Sequence, residues 1–565
     1  MTDQLEKLAE QTPRQEVSDV QNINSVIEIE KLTNELHGLV DKELTLEEYQ
    51  EYLTVLRSYQ PKTRKELLHV LKVRGKLKRE FSKNIKGNER DGYYATYPPI
   101  PPRKITEILF EHCHFKRISN IEAKEIPLFM YRVDTGTYTA NTDIIDGCIL
   151  AIQDDVTERY CKEIRGWIRK DIERTPYRPF CQDEMFVVMK NGLLDLNTHK
   201  LLPFDPEKIF IAKNAVNYKN VEHPKFPDGW TFDNFLEEQA SGDKEVVKAF
   251  WQLIQYALLT NKTKNVFVYL YSQLGSTGKG TLSQLLINLV GEENAGIANI
   301  KQLNENFMIA SIYDKVIVIG NENDNVFLAV NENMKNLATG DGIKVEIKGQ
   351  QPFWAKSSPL IVQSMNTLPS FSKIEDGTKS RMRVFDFKHS YQGVNGNSRG
   401  NVAVKKNYIH NTQLLEYIAY KALNMKVEEF RDTADSKRIR GEIEEMSNPV
   451  LAFVKETLET YKSTVLPIRF LFQHFRVWLA LENKADKWTQ RGFTQELNKV
   501  LPSCWNYDRK NKRPFAGFEE SDYHSFNAER QNIRGSLIYG ATEYLYNPDE
   551  LKKYQPLIYK ENIDI

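Results

Sequence analysis

Residues 266–290 read VFVYLYSQLGSTGKGTLSQLLINLV. An apolar strand runs into a glycine-rich turn carrying Lys279, and then into an amphipathic helix. Backbone N–H groups along Gly275, Ser276, Thr277, Gly278, Lys279, Gly280 and Thr281 would line a concavity at a helix N-terminus, where the helix dipole also favours negative charge. Lys279 would reach the β- and γ-phosphates of a bound nucleotide. The phosphate-loop pattern G-x-x-x-x-G-K-[ST] is met from Gly278 onward, with Gln273 at its first glycine and Gly280 at its hydroxyl position. Thr281 then supplies the hydroxyl for Mg²⁺.

Such a site needs a second buried strand that ends in a carboxylate, to hold the metal and polarise the attacking water. KVIVIGNEND supplies one roughly forty residues after Lys279. Val316 to Ile319 form its apolar run, which places Glu322 just past the C-terminal edge where open α/β sheets bind ligands. Asp324 is the alternative metal carboxylate. Further on, IKVEIKGQQPFW (343–354) reads as a hairpin with Ile343, Val345 and Ile347 alternating and Lys348-Gly349 at its tip. PLIVQSMN (359–366) is another buried strand, ending in the amide of Asn366, which could hydrogen-bond the attacking water or the γ-phosphate. SRMRVFDF (380–387) carries Arg381 and Arg383 at the start of a strand, a position from which guanidinium can reach a neighbouring subunit's nucleotide.

In order and kind, the phosphate loop, NEND, GDGIKVEIKGQQPF, SMNTLP and SRMRVFDF resemble the superfamily 3 AAA+ helicases, specifically the primase-helicases of phages, satellites and poxviruses. The resemblance covers residues 180–390 well, with NGLLDLNTHKLLPF similar to the segment just upstream of the helicase in that family. It implies a P-loop AAA+ core using ATP and Mg²⁺, with Lys279 and Thr281 at the phosphate, Glu322 as Walker B acid, Asn366 as sensor and Arg381 as arginine finger. Asn321 stands where many relatives carry a second acid. Lys348, with Lys344, falls on the hairpin that in the family points into a central pore and grips single-stranded DNA. The family acts as hexameric rings, so a homo-hexamer is implied. Relatives often carry a primase at the N-terminus; the first hundred residues lack the spaced acidic pair that two-metal nucleotidyl transfer needs. A separate primase is the implied partner.

The C-terminal stretch IRFLFQHFRVWLALENKADKWTQRGFTQELNKVLP (468–502) reads as two helices joined by a short turn, with Thr489 as N-cap of the second. WNYDRKNKRPFAGF follows as a basic hairpin holding Arg509, Lys510, Lys512 and Arg513. This resembles the winged-helix module of the same family, in which Gln490 and Arg491 would read duplex origin DNA while the basic wing holds phosphates. A helical oligomerisation or primase-docking module is the alternative.

The other boundaries follow from composition. With 565 residues, two to four domains are expected. The first fifty residues carry twelve acidic and four basic side chains, and Lys62 to Lys86 reverses this with ten basic and two acidic. Thr45 with Glu48, and Thr63 with Glu66, fit capping boxes. The basic helix after Thr63 would meet a phosphate backbone, an acidic partner or solvent alone. TYPPIPP (96–102) reads as a linker, because proline cannot propagate a helix or a central strand. The expected order is a helical region (1–100), an α+β domain (103–225), the ATPase (226–395), a linker and helical connector (396–446), and the winged-helix-like domain (447–565).

Formal net charge is zero, which argues against coating nucleic acid by bulk attraction. Five scattered cysteines suit reduced thiols, and neither a signal peptide nor a membrane-length apolar run is present. The chain reads as a soluble, membrane-free cytoplasmic protein, in a bacterial host for a phage-type relative. Two other functions stay open: a DNA-packaging or segregation motor, and a nucleotide-gated DNA-binding regulator that does not unwind.

Overall fold

The computed structural model describes residues 44–88, 90, 92–118, 127–173, 184–260, 262–305, 307–321, 323, 327–328, 332–346, 352–371, 374–393, 400–482, 484–509, 518–531 and 556–560. The chain divides into two compact units, one of residues 1–322, 332–366 and 385–433, the other of residues 323–331, 367–384 and 434–565.

The first described helix of the first unit is Leu46–Ser58, where Thr45 and Glu48 form the reciprocal capping box. The next helix, Arg64–Phe81, keeps only half of the expected pair. Thr63 accepts from the Glu66 N–H at 3.2 Å, while the Glu66 carboxylate accepts from the Lys62 N–H at 2.8 Å and the Tyr59 hydroxyl at 3.2 Å. Leu67 and Leu71 of this helix share a core with Ile105, Leu109, Ile149 and Ile164. The proline-rich segment, expected as a linker, is a packed corner in that core. Ile100 is buried, its N–H donates to Gln153 Oε1 at 2.8 Å, and Pro102 opens the Pro102–His112 helix, whose first turn needs no donor.

The centre of the unit is a five-stranded sheet. Its strands are β1 (Phe267–Tyr271), β2 (Ala295–Ile297), β3 (Ile317–Gly320), β4 (Leu360–Met365) and β5 (Met382–Asp386), in spatial order β2-β3-β4-β1-β5. The β2/β3, β3/β4 and β4/β1 pairs are parallel. Every residue of β1, β3 and β4 is buried, as strands covered on both faces require, and so they appear in the sequence as unbroken apolar runs. The helices Lys244–Leu258, Lys279–Val290 and Thr412–Leu423 contribute to the same core.

Thr412–Leu423 falls in the stretch expected as a connector, yet it is a core helix. Leu414, Ile418 and Ala422 at helical spacing are fully buried, and Gln255 Nε2 donates to the carbonyls of Ala422 and Met425 at 3.1 and 2.8 Å. Strands 186–189 and 192–195 join this core as well, with Val187, Met189 and Leu194 in it. Buried Asn214 ties them down by donating to Val188 O and Leu258 O.

The second unit has its own core around Phe453, Phe470, Phe475 and Phe493. Helices Ile468–Leu481 and Gln490–Val500 accompany a three-stranded antiparallel sheet in which Leu557–Lys560 lies between Val465–Pro467 and Trp505–Asp508. The strand expected to begin a basic hairpin therefore pairs with a segment about fifty residues further on. Leu557 and Ile558 of this middle strand are fully buried. Among the described residues no helix is long and apolar enough to cross a membrane.

Candidate functional site

At the end of β1 the chain enters the glycine-rich turn. The buried Ser272 hydroxyl fixes its start, donating to Phe387 O at 2.7 Å and accepting from the Leu274 N–H at 3.1 Å. Ser276 and Gly278 both have positive φ, at 54° and 89°. Gly278 is required twice over, since a Cβ there would also lie 2.8 Å from the Phe235 ring. The turn is braced from outside by the Ser390 hydroxyl on Gly275 O at 2.8 Å and the Tyr391 N–H on Ser276 O at 3.0 Å. Gly278 provides no side-chain cap for the Lys279–Val290 helix; its carbonyl accepts from the Thr281 and Leu282 N–H groups, both at 3.0 Å.

Two predicted residues meet here across 87 positions of sequence. The Lys279 ammonium donates to Asn366 Oδ1 at 2.9 Å and to the Thr277 hydroxyl at 3.4 Å. Because β4 lies beside β1 in parallel, Asn366 and the turn both emerge at the C-terminal edge of the sheet. Thr281 sits in the first turn of the helix, half-buried, its N–H bonded to Gly278 O at 3.0 Å.

A cavity of about 880 Å³ opens over Gly275–Thr281 and Asn366, within the size range of small-molecule sites. Sequence reading missed its far wall, which comes from segments distant along the chain: Trp230 and Phe235 on one side, Tyr391, Asn401 and Lys405 on the other. Phe235 and Tyr391 stack with centroids 6.5 Å apart. The Tyr391 hydroxyl donates to Glu238 at 2.8 Å and accepts from Gln239 at 3.2 Å; burial first, then the Glu238 carboxylate, pushes its pKa up. Lys405, in the short Val402–Lys406 helix, is an exposed cation on this wall. The density of aromatic residues in DGWTFDNF was the available signal.

Beside β4, β3 ends at Gly320, and a Cβ there would lie 1.9 Å from Gln363 Oε1. Its absence lets the buried Gln363 amide pass beneath and donate to Ala298 O at 3.0 Å, binding three strand ends together. Glu322 and Asp324, expected just beyond this edge, lie outside the described residues, so Thr281 is the one proposed metal ligand within them. The glycine-rich turn, Lys279 and a cavity of this size fit a nucleoside triphosphate.

The predicted pore hairpin pairs Gly342–Val345 antiparallel with Phe353–Lys356. Ile343 and Val345 are buried, while Lys344 points outward opposite Trp354 and pairs with Glu346 at 2.5 Å. Lys348 lies outside the described residues. Arg381 ends the Asp376–Arg381 helix and Arg383 lies in β5; they donate to Gly377 O at 2.5 Å and Ser380 O at 2.6 Å. In the second unit Thr489 caps the Gln490–Val500 helix through the Gly492 N–H at 3.1 Å. Phe493 and Leu497 face inward, and Gln490 and Arg491 are exposed. Arg509 is exposed at the end of its strand; Lys510, Lys512 and Arg513 lie outside the described residues.

Comparison with known proteins adds two partial matches. Residues 270–383 match a family of unknown function, DUF5906, and residues 445–532 match the Poxvirus D5 protein-like family. No curated protein matches the chain. Among solved structures, an A form apo structure of the NrS-1 C-terminal region is similar at 15% identity, covering 74% of this chain and 98% of that one with a TM-score of 0.43. A second apo structure of that region is similar at 13% identity, covering 71% and 95%, with a TM-score of 0.42. The chain thus carries a parallel α/β sheet with a glycine-rich turn and, later in sequence, a segment similar to the Poxvirus D5 protein-like family.

Proposed function

We propose that this protein is an ATP-driven DNA helicase of the D5 primase-helicase type, a superfamily 3 AAA+ motor serving replication of a phage, satellite or other mobile element. The observation that carries the reading is the contact of Lys279 with Asn366 beside a glycine-rich turn that gives its helix no side-chain cap. In this reading the nucleoside occupies the aromatic-walled cavity and the phosphates lie on residues 275–281. Lys279 exchanges Asn366 for the γ-phosphate on binding, and Asn366 is freed to orient the attacking water. The released amide then reports the state of the site to β4. Thr281 and Glu322, or Asp324, would hold Mg²⁺, which would neutralise phosphate charge. Arg381, with Arg383 beside it, would act on the nucleotide of a neighbouring subunit in a homo-hexamer.

Hydrolysis would be coupled to Lys344 and Lys348 in a central pore, which grip single-stranded DNA through its phosphates and so without sequence preference. The second unit would hold duplex origin DNA. Its capped, exposed Gln490-Arg491 helix start and its three-stranded antiparallel sheet support a winged-helix reading, with Arg509, Lys510, Lys512 and Arg513 on the phosphate side. The D5-like match over residues 445–532 supports the same assignment. A separate primase would provide primers.

The test is steady-state ATP hydrolysis with and without single-stranded DNA. Stimulation by the strand, lost in Asn366→Ala while nucleotide binding persists, is the expected result. Hydrolysis indifferent to DNA would overturn the motor assignment.

A further inference from the structure

The basic helix that the motor leaves unused ends in an unusual attachment. Arg64–Phe81 buries Leu67, Val70, Leu71 and Leu77, and turns Lys65, His69, Lys72, Lys76 and Arg79 to the opposite side. That spacing forms one stripe about 21 Å long. None of the five forms an ion pair among the described residues. Lys76 has its pKa lowered by partial burial, with Arg79 and Lys72 adding to the effect against Glu80, so like charges are crowded together here.

From the end of this helix projects a two-stranded antiparallel ribbon, Asn84–Asn88 with Gly92–Thr96. No third strand covers it among the described residues, and Tyr93 and Tyr94 are 58% and 60% exposed. Alternation puts the two rings on opposite faces, and the register sets Lys86 directly across from Tyr94. An isolated ribbon of this kind is marginal in water. Here both of its ends are clamped to the helix by one buried carboxylate, with Glu80 holding Lys83 Nζ at 3.1 Å before the first strand and the Tyr97 hydroxyl at 3.1 Å after the second. A buried ion pair is a costly way to add stability. What it does here is fix the position of a blade whose two aromatic rings are more than half exposed.

We propose that this ribbon and the adjoining stripe form a second single-stranded nucleic-acid contact, in which bases stack on Tyr93 and Tyr94 while phosphates run along Lys86, Arg79, Lys76 and Lys72. A flat ring in register with a lysine, Tyr94 across from Lys86, matches a base and its phosphate, and Tyr93 offers a second ring on the other face; an acidic protein surface would need only the cations. Every base has a π-face, so the contact is indifferent to sequence. It does not depend on nucleotide hydrolysis or on the pore hairpin.

The test is fluorescence anisotropy of labelled oligo(dT) with the full chain, without nucleotide, across a salt series. Tyr93→Ala combined with Tyr94→Ala is expected to weaken binding about tenfold or more with the salt slope kept. Combined Lys72→Gln, Lys76→Gln and Arg79→Gln should lower that slope by about two, roughly 0.7 per lost phosphate contact. Unchanged thermal midpoints establish that both variants are folded. Parental affinity in the tyrosine variant overturns the proposal, as does competition by polyglutamate equal to that by oligo(dT), which would assign the stripe to an acidic partner. Lys344→Ala separates the two readings. If it binds normally while the tyrosine variant is weak, the ribbon contact stands and the pore grip fails; if it alone is weak, the ribbon proposal fails.

Discussion

The central sheet and the 84–96 ribbon follow opposite rules within one unit. In β1, β3 and β4 every residue is buried, and chemistry appears only where the strands end, at the glycine-rich turn and Asn366. In the ribbon the exposed faces carry the distinctive side chains, and a single buried carboxylate at the base secures it. A sheet covered on both sides places its end groups by packing along its whole length, with short polar ties such as Ser272 and Gln363 at the strand ends. An uncovered ribbon needs a specific polar anchor, and the two should therefore fail in different ways.

The largest difference is expected at Lys279. Lys279→Ala removes the cation without touching the core, so ATP hydrolysis should drop by at least about a hundredfold while the thermal midpoint stays close to that of the parent. A large loss of stability would mean that the Lys279–Asn366 contact belongs to the fold. Next comes Glu80→Gln, which leaves Lys83 buried beside a neutral group and should cost about 3 kcal/mol or more locally. Hydrogen exchange should show loss of protection at residues 84–96 and unchanged protection in β1, β3 and β4. Loss in both regions would dissolve the distinction.

The two cores also hold different buried bases. Burial lowers the His112 pKa to about 4, from an ordinary value near 6.5. The unfolded chain therefore takes up this proton first as pH falls, and stability erodes between about 6.5 and 4, by at most roughly 3 kcal/mol. Just before β1, burial first and then Lys262 lower the Lys264 pKa to about 7. Its ammonium donates to Tyr256 O and Leu259 O at the end of the Lys244–Leu258 helix. Its window runs the same way at higher pH, with stability rising from about 7 towards 10.5. Chemical denaturation across pH should resolve both windows, and His112→Gln should flatten only the acidic one.

A smaller contrast lies in two glycines. Gly320→Ala forces a methyl against Gln363 Oε1 and Ala298 O and should cost about 1–3 kcal/mol. Gly92→Ala meets open space, and its penalty comes only from φ of +81°, about 1 kcal/mol. Reversal of that order in urea melts would count against the close approach at the sheet edge.

These regions also differ in how far the sequence reveals them. Buried parallel strands announce themselves as apolar runs, so VFVYLY, KVIVIG and PLIVQSM pointed to a parallel α/β sheet, and Thr45 and Thr489 marked helix starts through local chemistry. What was not legible depends on distant pairing. Trp230, Phe235 and Tyr391 come together only once the chain has folded back, and the partner of Trp505–Asp508 stands at Leu557–Lys560. TYPPIPP reads as a break by local rules, yet Ile100 and Gln153 turn it into a core corner. The Thr412–Leu423 helix looks like a connector until its apolar stripe meets Gln255 and its neighbours.

The most direct test of the central claim is ATP-dependent displacement of a labelled strand from matched forks bearing a 3′ tail, a 5′ tail or none, with Lys279→Ala as the blank. The account predicts displacement by the parent from forks of one tail polarity and none by the variant. Robust ATP hydrolysis with no displacement on any fork would contradict it, and would point instead to a packaging motor or a nucleotide-gated DNA binder.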